Sequence, residues 1–260
     1  MIRLRLRSFA GLLGLLILFL VLEICSASNW LDPRYFPRPS SALIRLFHLA
    51  FNNEMSTSGT FYEHLSASLV RFLSGVSIAA LFSFLLVLGS GISVTIKRMS
   101  SAIIGFLYPL PKSAVFPLLL LVFGINNGAH IALIVLGSVA MMLATSLAGL
   151  QRLEAAGYLE LARAMKLNRR MTARKVLIPG LLPEFMHSLK LGLSYGLVLL
   201  LVGEMIVTRL GVGVLLWAAW DQFNFVDLFA IFYLISLTGF LIFGFFDWLG
   251  EKFSVSQRAV

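Results

Sequence analysis

Of the 260 residues, 59% are hydrophobic and 13% are charged, and the mean hydropathy is +0.92, whereas soluble domains carry about 25% charged residues. These values exclude a soluble domain. They also exclude a β-barrel, because its strands alternate in segments of about ten residues and this sequence has long continuous apolar blocks. The net charge of +9 would point to nucleic acid in a soluble protein, so its meaning depends on where the basic residues sit.

A helix needs about 20 apolar residues to cross the hydrocarbon layer, and the gaps between charges outline six such spans in an all-α, polytopic membrane protein. Arg3, Arg5 and Arg7 precede an apolar run over residues 9–22, and Glu23 is the one charge before Asp32. A signal peptide ending at Ser26-Ala27-Ser28 also fits this start. The run extends to Trp30, however, and its removal would leave five spans, so residues 1–31 are read as a retained anchor. Cys25 is the single cysteine, which allows no intramolecular disulfide and no cysteine metal cluster. Residues 32–68, with Pro33, Pro37 and Pro39, read as an outer loop holding a short helix near 40–51, capped by Ser40 or Ser41. Residues 69–250 then form one membrane core, with 251–260 as a tail. The core spans are 72–88, one ending near Phe123, one over about 129–150, one over 189–207 and one over 228–246; Asn126 and Asn127 belong to the turn after Phe123.

With the first arginines inside, fifteen basic residues fall on the cytoplasmic side. Arg34, Arg38, Arg45, Arg71 and Arg209 fall outside, and Lys112 lies within a span. This asymmetry places both termini in the cytoplasm and accounts for the basic charge without nucleic acid.

Residues 151–184 form a cytoplasmic loop too long and too patterned for a plain connection. Helix formers run over 153–165 and again over 169–177, and Pro179 and Pro183 read as the stop. Tyr158, Leu161, Ala162 and Met165 share one face, with Glu160 and Arg163 off it. Two readings fit this face: it packs on the protein's own helix ends or on lipid headgroups, or it docks on a partner.

Within the spans, Lys112 stands out because an intramembrane cation faces protein, water or an opposite charge. It follows Pro109 and Pro111, and broken backbone of this kind is tolerated where it lines a cavity. Lys112, with Ser113 beside it, either lines a path suited to an anion or snorkels to the inner surface. Glu204 lies about 24 Å along the fifth span, near the outer boundary, where it pairs with a basic residue or acts as a gate. His48, His64, His130 and His187 lack ligand spacing, and no nucleophile–base spacing occurs, so neither a metal site nor an enzyme is expected.

In the loop, Glu160-Leu161-Ala162, Lys166 and Leu177-Ile178-Pro179 resemble the EAA motif of prokaryotic ABC importer permeases. Lys166 stands where that motif has glycine, and Asn168 is able to take the left-handed turn in its place. The segments 64–75, Pro109 to Leu118, Phe123-Gly124-Ile125, Gly203-Glu204-Met205 and Gly211-Val212-Gly213 are similar to the nitrate, sulfonate, taurine and bicarbonate permease family. The resemblance covers about residues 38–250 and implies a type I ABC importer permease fold in the bacterial inner membrane. It implies a second permease copy, two cytoplasmic ATPase subunits and a periplasmic or lipid-anchored binding protein. The implied function is import of a small anion such as a sulfonate, nitrate or bicarbonate by alternating access. The implied ATPase-coupling residues are Tyr158, Glu160, Leu161, Ala162, Arg163, Met165, Lys166 and Pro179. The chain has no G-x-x-x-x-G-K-[ST] loop, so no cofactor is expected in it, and ATP with Mg²⁺ belongs to the partner subunits. Arg163, Lys166, Arg169, Arg170, Arg174 and Lys175 suit either acidic groups on such a partner or anionic lipid. A secondary transporter is the competing reading, and it would carry matching broken helices in two inverted halves.

Overall fold

The computed structural model describes residues 2–28, 30–52, 55–56 and 59–257. Four helical stretches are long and apolar enough to cross a membrane, and a bent helix pair makes up to a fifth. They are α3 (Phe61–Ile92), α6 (Asn127–Ala155), the stretch Arg169–Ile206 that ends in α9 (Ile178–Ile206), and α11 (Phe225–Gln257). The bent pair is α4 (Val94–Leu107) and α5 (Lys112–Phe123), which meet at 102°. The first expected span corresponds to α1 (Ile2–Ala27), whose described apolar part is Leu16–Ala27.

The third expected span is therefore not straight. Tyr108 to Pro111 break it, since neither Pro109 nor Pro111 has an N–H to donate, and α5 restarts at Lys112. Helix α3 also begins earlier than the charge gap suggested. Thr60 and Glu63 form a reciprocal capping box at its start, so Arg71 stands within the helix and not before its first turn. Helix α2 (Pro39–Phe51) starts at a proline without a serine cap; Ser40 instead gives its N–H and hydroxyl to the Glu23 carboxylate, at 2.9 and 2.7 Å, tying α2 to α1. Arg45 on α2 pairs with Asp227 at the start of α11 at 2.5 Å.

Helices α3, α6 and α9 form the centre. Phe72, Val76 and Ala79 of α3 meet Ile134, Val139 and Met142 of α6 and Met186, Leu189 and Leu193 of α9. In a bilayer, helix contact relies on close packing and interhelical hydrogen bonds, and both are present between α6 and α9. A side chain on Gly192 would overlap Met142, the Ser138 hydroxyl donates to Gly192 O at 2.9 Å, and Ser146 donates to Ser188 at 2.8 Å.

The antiparallel α6 and α9 define two ends. One carries the connection between them: α7 (Tyr158–Ala164), α8 (Arg169–Thr172) and a π-helical turn Ala173–Leu177. The other carries the α5–α6 turn and α10 (Val212–Asp221), an apolar helix after Gly211 that the charge gaps do not reveal.

The connection departs from the expected pair of helices with a proline stop. Residues 153–155 complete α6, and Gly157, at φ 77°, turns the chain into α7. Pro179 and Pro183 lie inside a continuing helix. The π turn makes this possible: Ile178 N–H reaches back five residues to Ala173 O, so Pro179 enters where the regular ladder is already open.

Candidate functional site

Helix α7 has two apolar faces. Leu159 and Ala162, three apart, are buried, and Leu159 packs with Val87, Leu150, Leu177 and Leu181. Tyr158, Leu161 and Met165 lie on the other side and are 53%, 58% and 64% exposed. Ala162 thus belongs to the face that holds α7 on the protein and not with the other three, because a seven-residue helix on a core must anchor one stripe. Glu160 and Arg163 flank the outer face and are exposed, and Pro179 is half-buried at the start of α9.

The end of α7 is closed by a Schellman motif. Lys166 N–H donates to Arg163 O at 2.9 Å and Leu167 N–H to Ala162 O at 3.0 Å. The left-handed residue is Lys166 itself, at φ 52°. Asn168, expected to take that turn, has φ −69° and caps α8, its side chain accepting from Met171 N–H at 2.8 Å. A lysine there costs about 1–2 kcal/mol against glycine.

Cations at this end fall into two groups. Lys97 pairs with Glu154 and Arg152 with Glu184, each at 2.5 Å, and Lys190 pairs with Asp247. Among the described residues, Arg163, Lys166, Arg169, Arg170, Arg174 and Lys175 are exposed and form no ion pair.

At the opposite end, Glu204 and Arg71 are both buried and pair at 2.7 Å. Arg71 Nη1 also donates to Leu210 O at 2.6 Å, Nη2 to Thr208 Oγ1 at 3.2 Å and Nε to Asn127 Oδ1 at 2.8 Å. Glu204 accepts from Ser68 Oγ at 2.8 Å and from Gly213 N–H at 3.0 Å, while Ser68 accepts from Val212 N–H at 2.7 Å. Ser68 and Glu204 therefore cap α10, and the carboxylate sits at the positive end of that helix. Gly211 makes room for it: its φ is 151°, and a Cβ there would lie 2.3 Å from the Glu204 carboxyl carbon. His64 Nδ1 closes the cluster against the Gly211 backbone, 2.9 Å from its oxygen. Sequence spacing does contain a signal for these residues, since His64, Ser68 and Arg71 recur four and three apart on one face of α3.

Lys112 is the first residue of α5 and is 6% exposed. Its Nζ donates to Tyr108 O at 2.7 Å and lies 5.8 and 5.6 Å from the ring centroids of Tyr108 and Tyr195. No carboxylate pairs with it among the described residues. Ser113 beside it is exposed. The structure does not bring Lys112 and Glu204 together: Tyr195, the α9 residue whose ring Lys112 faces, precedes Glu204 by about 13 Å of helix.

Comparison with known proteins places this architecture. Residues 56–255 match the family model described as binding-protein-dependent transport system inner membrane component. The chain is 29% identical over 189 residues to the taurine transport system permease protein TauC of Escherichia coli, covering 73% of this chain and 68% of that protein. It is 31% identical over 195 residues to the putative aliphatic sulfonates transport permease protein SsuC of the same organism, covering 75% and 72%. It is 24% identical over 241 residues to the bicarbonate transport system permease protein CmpB of Synechococcus elongatus, covering 92% and 86%. The chain belongs to the binding-protein-dependent transport system inner membrane component family and is an ABC importer permease.

Proposed function

We propose that this chain carries a small anionic nutrient, of the sulfonate, nitrate or bicarbonate class, across the membrane by alternating access, driven by a separate ATPase that docks on α7. The observation that carries this reading is the outer face of α7: Tyr158, Leu161 and Met165 stand exposed while the inner face of the same helix is anchored. An exposed apolar triad three and four apart is the pattern of a helix laid into a groove, and burial there is worth about 1.5–3 kcal/mol per side chain. The unpaired cations around the triad suit acidic groups on the ATPase. In this reading the α7 end faces the cytoplasm, both termini lie on that side, and a second copy of the chain and an outer binding protein complete the importer. ATP and Mg²⁺ are held by the ATPase.

An anionic substrate is supported by the names of the relatives and by Lys112, a cation beside two rings and without a carboxylate partner among the described residues. Lys112 then lines the pathway with Ser113 at its edge, and Glu204 acts on the pathway through Arg71.

The test is co-purification of the tagged chain from its native membrane in mild detergent. The unaltered chain brings an ABC ATPase with it, and the variant carrying Leu161→Glu and Met165→Glu does not. Absence of an ATPase from both samples, or its retention by the double variant, would overturn the docking of an ATPase on α7 and leave the family assignment in place.

A further inference from the structure

The α10 end holds an open cleft of about 540 Å³, lined by Arg71, Asn126, Asn127, His130 and residues 206–210. No carboxylate lines it. Glu204 lies behind Arg71, with a fully enclosed side chain, so its charge is already committed to the arginine and to the α10 N-terminus.

Several donors around the cleft remain unused. A guanidinium has five N–H groups, and four hydrogen bonds of Arg71 are accounted for by Glu204, Leu210, Thr208 and Asn127, leaving one N–H on Nη2. Asn127 accepts from Arg71 through its oxygen, and its amide nitrogen donates to nothing among the described residues. Arg209 is exposed and makes no ion pair or hydrogen bond among the described residues. The α6 helix also begins at Asn127, with its positive end toward the same space.

We infer that this cleft is a binding site for a small oxyanion, a sulfonate, carboxylate or nitrate, held by Arg209, the Asn127 amide and the remaining Arg71 N–H. It would receive the anion at the end of the permease opposite α7, before the anion reaches Lys112. The inference rests on the anionic-substrate reading above. An acidic side chain of a docking protein would meet the exposed Arg209 and Asn127 as well, but Arg71 is buried on the floor, where a free anion has the better access.

The experiment uses the complete importer, with its ATPase and binding protein, in liposomes. Labelled taurine, nitrate and bicarbonate serve as probes, and the one that the unaltered importer moves is carried forward. Arg209→Ala removes an exposed charge without disturbing a contact, and Asn127→Asp keeps the acceptor for Arg71 Nε while replacing a donor by a negative charge. Loss of one charge-assisted hydrogen bond corresponds to about a tenfold change. Uptake is therefore expected to fall about tenfold with Arg209→Ala and further with Asn127→Asp, with partial recovery in Arg209→Lys and no recovery at higher binding-protein concentration. Unchanged uptake in both variants would overturn the inference and leave the proposed function intact. Full recovery at high binding-protein concentration would also overturn it, by making the cleft a docking surface for that protein. Failure of the unaltered importer to move any of the three anions would instead remove the substrate reading on which it rests.

Discussion

At the α10 end Arg71 uses four of its five N–H groups on protein acceptors, and Glu204 answers it with a carboxylate bound by Ser68 and Gly213. At the α7 end six cations and three large apolar side chains have no such partners among the described residues. The same two helices, α6 and α9, run between these ends. A buried ion pair must be completed largely by its own chain, because desolvation is compensated only when most of its lone pairs and protons find partners. A surface meant for another protein can be left incomplete. The difference separates a buried ion pair that this chain completes almost wholly by itself from an exposed face whose cations and apolar side chains it leaves without partners among the described residues.

The largest expected effect breaks the buried ion pair at the α10 end. Glu204→Ala would leave Arg71 charged, buried and unpaired and would remove the cap of α10, at a cost of about 3–5 kcal/mol. It should appear as a steep drop in thermal stability in detergent; an unchanged midpoint would mean the cluster is not closed. Gly211→Ala comes next. Its Cβ would press into the Glu204 carboxylate, and overpacking of this kind costs about 1–3 kcal/mol, read in the same melt. The smallest effect lies at the α7 end and has the opposite sign. Lys166→Gly relieves a left-handed lysine and should stabilise the chain by roughly 1 kcal/mol. A fall in stability there would mean that the Lys166 side chain is held by contacts of its own.

How much of this could be read from the sequence follows the same division. Uncharged stretches locate α3, α6, α9 and α11, because a bilayer core imposes length and apolarity on each helix independently of its neighbours. The same rule starts the helix of α3 after Arg71, whereas α3 runs from Phe61. It treats every charge as a boundary, and the partner that lets Arg71 be buried within the helix, Glu204, is 133 residues away. Helix α10 was missed because it is too short to span, and its start depends on a cap supplied by α3 and α9. Pro179 and Pro183 signal a stop that a π turn circumvents, and that turn, which contacts α3 and α7, has no residue signature. On α7 the period of 3.6 was legible, yet it could not separate Ala162 from Leu161, since the packing side of a short helix is fixed by where its ends are tethered.

Site-directed cross-linking tests the central claim most directly, namely that the outer face of α7 is the ATPase-docking surface. In a Cys25→Ser background the chain has no other cysteine, so Leu161→Cys and Leu159→Cys can each be coupled to a short bifunctional reagent in native membranes. The account predicts an adduct with an ABC ATPase from position 161 and none from the buried position 159. An adduct from 159, or labelling of 161 without any ATPase attached, would contradict it.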